Sequence, residues 1–314
     1  MRFKPEKVAA LKILLLLAGV AFFVSCAYGN GKKSILDKPT KSISDNEKKT
    51  TESTYINRYG DVISRFADKS PQRIVSIAPS TTEMLFEYGI GELICGATEP
   101  HNYPPKAMKL ETIGHQMLNT EKIVSLKPDI IIGEKNLFLG QTETIGELGI
   151  PILLFDTRSV DDIFGDLIVL DRICKEQKAE ELFQNAISEL ETVSKPERPC
   201  RVAGIISSSP MILAARNSYL SSIISISGCT NIAGDIPGDY VTFSREELLI
   251  KNPDMIIVTF GGIRDELNRD ESLKRVAAIK NKKIMEVNPD VFLRPTLRSI
   301  REGAVILRKY CGEK

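Results

Sequence analysis

The sequence holds no tryptophan and only two histidines, His101 and His115, in 314 residues. Two imidazoles exclude zinc or iron sites that need three or more histidine ligands. An excess of charge of one sign is missing too: 42 Lys+Arg stand against 41 Asp+Glu, a formal net charge of +1. Without a basic face there is no phosphate counterion release to drive, so nucleic acid is excluded as a partner. No Cys-x-x-Cys pair occurs, which removes the usual dithiol redox motif. Gly89-Ile90-Gly91 lies at a helix end and lacks the third glycine of a dinucleotide fingerprint; a P-loop and a G-x-S-x-G elbow are absent. No cofactor, metal centre or catalytic residue is therefore expected. What remains is ordinary for a globular chain, with 42% hydrophobic and 26% charged residues. At roughly 150 residues per domain the length suggests about two domains, with cores large enough to hold without disulfides.

Arg2, Lys4, Lys7 and Lys12 precede an apolar run from Ile13 to Val24. The run is too short to span a bilayer as a helix and has the shape of a secretory signal over residues 1–25. Phe23-Val24-Ser25-Cys26 resembles a bacterial lipoprotein box, with Phe23 in place of the usual leucine. Cys26 is then the lipidated residue and anchors an exported chain to the membrane; ordinary cleavage after Ala27 is the alternative. Residues 26–70 are rich in Lys, Ser, Thr, Asp and Glu. They carry too little apolar surface to offset their ordering entropy and read as a flexible tether, or as a leftover pro-region. Tyr55 to Phe66 has enough apolar character for a short strand and turn at the edge of the body.

From Pro71 onward short apolar runs alternate with helical periodicities, an α/β pattern. Strands are expected at 73–78, 90–97, 129–133, 152–155, 201–206, 211–215, 255–259 and 283–287. Ser80 with Glu83 three residues on reads as a capping box. Residues 137–148 and 218–227 read as helices closed by Gly149 and Gly228, and 297–310 as a closing helix. The segment from Val160 to Ser194 keeps an apolar stripe from Ile163 to Val193 with no Pro or Gly after Gly165. It predicts one helix of about 30 residues, roughly 45 Å long. The expected domains are an N-terminal lobe at 71–158, a linking helix at 159–195 and a C-terminal lobe at 196–314.

The two halves echo each other. Glu121 is followed by apolar residues at +2 and +3, Pro128 at +7 and Asp129 at +8; Glu246 is followed by the same pattern with Pro253 and Asp254. Matching glutamates in two lobes suggest two-point docking. They are equally accounted for as acids in a first helical turn, each worth a few tenths of a kcal/mol against the dipole.

Four stretches carry a resemblance: Arg73 to Glu83, Asn102-Tyr103-Pro104-Pro105, Glu121 to Asp129, and Ser244 to Asp254. In this order they resemble the Fe/cobalamin periplasmic-binding family, the substrate-binding proteins of ABC importers for ferric siderophores, haem and cobalamin. The resemblance implies two Rossmann-like lobes joined by a single long α-helix, with a ligand cleft between them at strand carboxyl ends. It implies that Glu121 and Glu246 dock on arginines of the permease. Tyr103 and Tyr240 fall where cobalamin-binding members place aromatic residues, and His115 replaces another aromatic position. Asp290, Phe292 and Arg294 occupy a loop that reaches the cleft in relatives; Arg216, after a strand end, suits an anionic ligand group. Tyr and His together suit a haem iron. Cys229 and Cys311 match a pair bridged in some relatives.

The implied partners are a permease with its ATPase, a metal chelate and the membrane through the lipid, with the chain itself a monomer. An iron chelate, ferric siderophore or haem, is the leading cargo. Cobalamin is the alternative, from whose pattern the missing tryptophans depart. A lipid-anchored adhesin or scaffold on the same fold is the alternative of another class.

Overall fold

Why the apolar runs stay in place is visible from the sheets they build. A computed structural model of the chain describes residues 45–312 apart from Gln116 and residues 138–140. The signal sequence, Cys26 and the start of the tether lie outside the described residues. In the N-terminal lobe β1 (Ile74–Ser76), β2 (Ile94–Ala97), β3 (Ile130–Glu134) and β4 (Ile152–Phe155) form a parallel sheet of order β2-β1-β3-β4. A parallel sheet covered on both faces wants unbroken apolar strands rather than alternation, and Ile130, Ile131 and Ile132 are all fully buried. The helices α2 (Pro79–Tyr88), α3 (Thr120–Ser125) and α4 (Thr142–Gly146) connect these strands.

The C-terminal lobe is a mixed sheet of order β10-β9-β5-β6-β8. Its members are β5 (Arg201–Ser208), β6 (Met211–Ala214), β8 (Tyr240–Thr242), β9 (Met255–Val258) and β10 (Ile284–Glu286), with β7 (Thr230–Asn231) paired on the start of β5. Helices α7 (Tyr219–Ile226), α8 (Arg245–Lys251), α9 (Ile263–Arg269), α10 (Ala277–Lys280) and α11 (Pro289–Phe292) surround it. The chain ends in a π-helical turn at Ser299–Ala304 that runs into α12 (Val305–Gly312), so the expected closing helix is two segments.

The α/β class and the two-lobe arrangement agree with expectation; the linking helix does not. Residues 160–194 form two helices, α5 (Val160–Cys174) and α6 (Ala179–Glu191). Lys175 takes a left-handed conformation, φ 60°, and ends α5. Asp171 then turns its carboxylate to the backbone N–H groups of Lys178 and Ala179, at 2.9 and 3.1 Å, and so starts α6. Phe164 of α5 meets Phe183 of α6 with ring centroids 5.2 Å apart, which requires the chain to fold back on itself. An uninterrupted apolar stripe could not reveal this break, because a carboxylate cap does the work usually left to Pro or Gly. The lobes are linked by this folded pair, and the expected rigid strut is absent.

A second correction concerns the tether. Its later part, including the strand and turn expected at Tyr55 to Phe66, is helix α1 (Asp45–Arg65). Tyr55, Tyr59 and Phe66 are buried. The Tyr55 hydroxyl donates to Asp162, and Tyr59 packs edge-on to Phe155 at 5.9 Å. The Tyr55 ring sits where a side chain on residue 165 would be: a Cβ at Gly165 would stand 2.1 Å from Tyr55 Cζ. A polar segment with Tyr55 and Tyr59 one turn apart thus docks on α5 rather than hanging free.

The capping box at Ser80 is a third correction. The N-cap of α2 is Ala78 with Pro79 in the first turn, and Glu83 is buried with work of a different kind, described next.

Candidate ligand cleft

Two groups of contacts tie the lobes. The first starts from the loop after β2. Asn102 donates to Asp290 at 2.8 Å and accepts from the Arg294 guanidinium at 2.8 Å. Behind it, Glu83 of α2 is fully buried; it accepts from the Thr296 hydroxyl at 3.0 Å and lies 3.5 Å from Arg294 and 3.7 Å from Arg298. Glu87, one turn further, accepts from the backbone N–H of Leu297 at 2.9 Å and lies 4.0 Å from Arg301. The second group is at the other edge. Arg158, after β4, reaches Asp239 at 3.4 Å, and the Val160 N–H donates to the Ser222 hydroxyl at 2.9 Å.

Burial dominates the electrostatics of this junction. It pushes the Glu83 carboxyl above its ordinary value against the pull of Thr296, Arg298 and Arg294. Burial, aided by the Glu83 charge, pushes Glu87 up to about 8. Glu134, at the carboxyl end of β3, is raised to about 7 by burial against a hydrogen bond from Ser80 and the Arg294 charge. Three carboxyls with elevated affinity for a proton therefore line the N-lobe side of the junction. In the sequence Glu83 was read only as a capping partner, and Glu87 and Glu134 were not singled out. The available signal was Glu83 and Glu87 four positions apart on one face of α2, and Glu134 ending a run of isoleucines.

The residues expected at the ligand distribute unevenly. Tyr103 lies under the Arg298 guanidinium, 3.8 Å from its ring centroid, so an aromatic face and a cation already form one unit. Tyr240 opens β8 and is 43% exposed. His115 is exposed, with Nδ1 3.1 Å from the Glu99 carbonyl oxygen. A carbonyl only accepts, so Nδ1 carries the proton there and Nε2 is the nitrogen left facing away from that contact. Glu99 belongs to the loop that carries Tyr103, and its N–H donates to the Gly114 carbonyl at 2.9 Å, which ties that loop to the segment carrying His115. Arg294 and Asp290 are brought together but on each other, at 2.8 Å. Phe292 is 2% exposed and packs near Gly303; it is a core residue. Arg216 spends its guanidinium on the carbonyls of Gly234 and Asp235. Phe260, 36% exposed just after β9, was not foreseen. A depression of 630 Å³ lined by Arg264, Lys274, Lys280 and Lys282 lies on α9 and α10, away from the lobe junction.

The periplasmic binding protein family model matches residues 74–291. The chain belongs to that family. A vitamin B12-binding protein of Vibrio cholerae is 30% identical over 238 residues, covering 73% of this chain and 85% of the relative. An ABC transporter substrate-binding lipoprotein of Bacillus subtilis, itself uncharacterized, is 26% identical over 74% of this chain and 77% of its own. A solved structure described as a possible iron-binding, periplasmic solute-binding protein of Staphylococcus epidermidis superposes with a TM-score of 0.70 at 25% identity, over 78% of this chain and all of the other.

The internal echo has a structural basis within this family fold. Asp129 accepts from the N–H groups of Gln72 and Arg73 at 2.7 and 2.9 Å, and Asp254 accepts from Arg201 N–H at 2.9 Å. Arg73 in turn donates to the Leu126 carbonyl at the end of α3, and Arg201 to the Lys251 and Asn252 carbonyls at the end of α8. Glu121 and Glu246 stand exposed in the first turns of α3 and α8. In α8 the capping box is made by Ser244 and Glu247, at 3.1 and 2.7 Å, which leaves Glu246 outside it.

Proposed function

We propose that this substrate-binding protein captures an iron chelate, haem foremost, in the junction between its lobes and delivers it to an ABC permease and its ATPase. The observation that carries the reading is His115. Its Nδ1–H is held by a backbone carbonyl, which is how a protein fixes the tautomer and orientation of an imidazole that binds metal through Nε2. The segment of this exposed imidazole is tied to the loop that carries Tyr103, whose ring is braced by Arg298, and the family offers Tyr240 opposite. A flat iron-bearing macrocycle with anionic side groups wants an axial nitrogen, aromatic faces and cations nearby. Cys26 anchors the monomeric chain by lipid on the outer face of the membrane, and Glu121 and Glu246 dock the loaded protein on the permease.

Cobalamin is the second reading, supported by the vitamin B12-binding relative at 30% identity. Titrating the purified chain with haem, cobalamin and ferric siderophores, followed by the visible spectrum of each, separates them. Saturable haem binding with an axial-ligand band that His115→Ala removes supports the first. Saturable cobalamin binding that His115→Ala leaves unchanged, with no haem band, overturns it for the second. Charge reversal of both Glu121 and Glu246 should abolish uptake and leave binding intact; unchanged uptake removes the docking role.

A further inference from the structure

Of the five cysteines among the described residues, Cys95 and Cys174 stand apart and three meet. Cys200 immediately precedes β5, Cys229 immediately precedes β7, and Cys311 lies on α12. The backbone holds the first two together: the Thr230 N–H donates to the Cys200 carbonyl at 2.8 Å, and β7 pairs with β5 from Arg201 and Thr230 onward. Cys229 and Cys311 approach with their Sγ atoms 2.8 Å apart. The Cys200 side chain lies beside both, and Cys311 Sγ lies 3.8 Å from Met255 Sδ. The cluster sits at the amino end of β5, whereas Ser208 at its carboxyl end belongs to the other side of the sheet. Three thiols cannot all pair, so any bridge within the set leaves a third sulfur against it.

We propose that Cys200, Cys229 and Cys311 form a three-thiol exchange site on the C-terminal lobe, with Cys200 as the entry nucleophile for a disulfide of a low-molecular-weight thiol. Cys229 is buried, while Cys200 and Cys311 are each partly covered; Cys229 and Cys311 face each other, which leaves Cys200 as the sulfur outside that close pair. The neighbouring thiols of Cys229 and Cys311, with the positive field of Lys283, hold the Cys200 thiol below its ordinary range. A thiol so placed attacks as thiolate in the oxidising conditions that exported proteins meet.

The balance is as follows. The Cys200 thiolate bonds one sulfur of the small-molecule disulfide, whose other half leaves as a thiolate and takes up a proton. Cys229, or Cys311, then loses its proton and attacks Cys200 Sγ; the second half of the small molecule leaves as a thiol. Two protein thiols have lost two electrons and two protons, and one small disulfide has become two thiols. The bridge next passes to Cys229–Cys311 when one of these attacks it, which returns Cys200 as the leaving thiol without further oxidation.

The test uses the reduced, purified chain titrated with glutathione and glutathione disulfide, quenched in acid, alkylated and digested with trypsin. The three cysteines fall on separate peptides, 179–201, 217–245 and 310–314. The expected result is a Cys200-linked peptide pair alongside Cys229–Cys311 in the wild-type chain, and a first reaction with glutathione disulfide at pH 6 at least tenfold slower in Cys200→Ser. A wild-type chain that forms only Cys229–Cys311 across the titration, as fast in Cys200→Ser as in itself, overturns the proposal. The wild-type readout stands even where a variant folds poorly.

Discussion

Asp129 and Arg73 hold each other's secondary structure. The carboxylate takes the N–H of Arg73 at 2.9 Å and the Arg73 guanidinium takes the Leu126 carbonyl at 2.7 Å, so the strand entry and the preceding helix exit are locked by one exchange. Asp254 and Arg201 repeat the exchange in the other lobe. Hydrogen bonds to a charged acceptor contribute about 1.5–3 kcal/mol each. Asp129→Ala should therefore cost about 2 kcal/mol of stability in denaturant titration, and Asp254→Ala a similar amount. The two sites lie in different lobes and share no partner, so the double variant should show the sum within about 0.5 kcal/mol. Ligand affinity at 25 °C should be unchanged in both single variants, since neither aspartate lies at the lobe junction. A loss of affinity without loss of stability would contradict this assignment.

That exchange also marks how far the sequence could be followed. The Pro-Asp repeat was legible as a pattern, and its cause needed the strand and helix ends in place. The strands were legible because a parallel sheet demands unbroken runs such as Ile130-Ile131-Ile132. The break at Lys175 was not, since its signal is the carboxylate of Asp171, which reads as one more polar residue on a helix. The docking of α1 was hidden for the opposite reason: Tyr55, Tyr59 and Phe66 are few among many charges, and their partner Gly165 lies 110 positions beyond Tyr55. For the ligand cleft, Tyr103, Tyr240 and His115 were picked by their position in the resemblance. Glu83 was read as a capping partner, and Glu87 and Glu134 were missed, because a buried acid has no local periodic signature.

The Gly165 contact gives a sharp prediction for α1. A methyl group at 165 would overlap the Tyr55 ring and cannot be relieved by a small shift. Gly165→Ala should release α1 while the lobes stay folded. Limited trypsin digestion would read it: cleavage at Lys49, Arg58 and Arg65 should accelerate at least tenfold, with the fragment beyond residue 65 persisting. Tyr55→Ala combined with Gly165→Ala should not be worse than Tyr55→Ala alone, because the clash is gone.

Glu87 makes the junction sensitive to alkali. Its folded value of about 8 lies above the ordinary 4.5, so the folded chain binds a proton there that the unfolded chain releases. The stability associated with that proton is full below about pH 4.5 and is lost as pH rises to 8 and beyond. Glu87→Gln keeps an acceptor for the Leu297 N–H and removes the titration. Thermal melts of the variant should match the wild type near pH 5 and lie above it at pH 8–9. Parallel melting curves over the whole window would mean that Glu87 does not titrate as its burial requires.

Tyr103 and Arg298 make the last prediction, because their contact joins an aromatic face of one lobe to a cation of the other. With the guanidinium 3.8 Å from the ring centroid and also 3.1 Å from Glu302, the cation is held by the protein's own groups. The ring supplies two things, a stacking face and a brace for Arg298, and its hydroxyl supplies neither. Tyr103→Phe should thus keep affinity for the bound chelate within about threefold. Tyr103→Ala should lose at least tenfold, about 1.4 kcal/mol, in equilibrium titration. A hydroxyl that coordinates the iron reverses that order: Tyr103→Phe would lose the most and its visible spectrum would change. The two substitutions therefore distinguish a stacking platform from a phenolate ligand on the same residue.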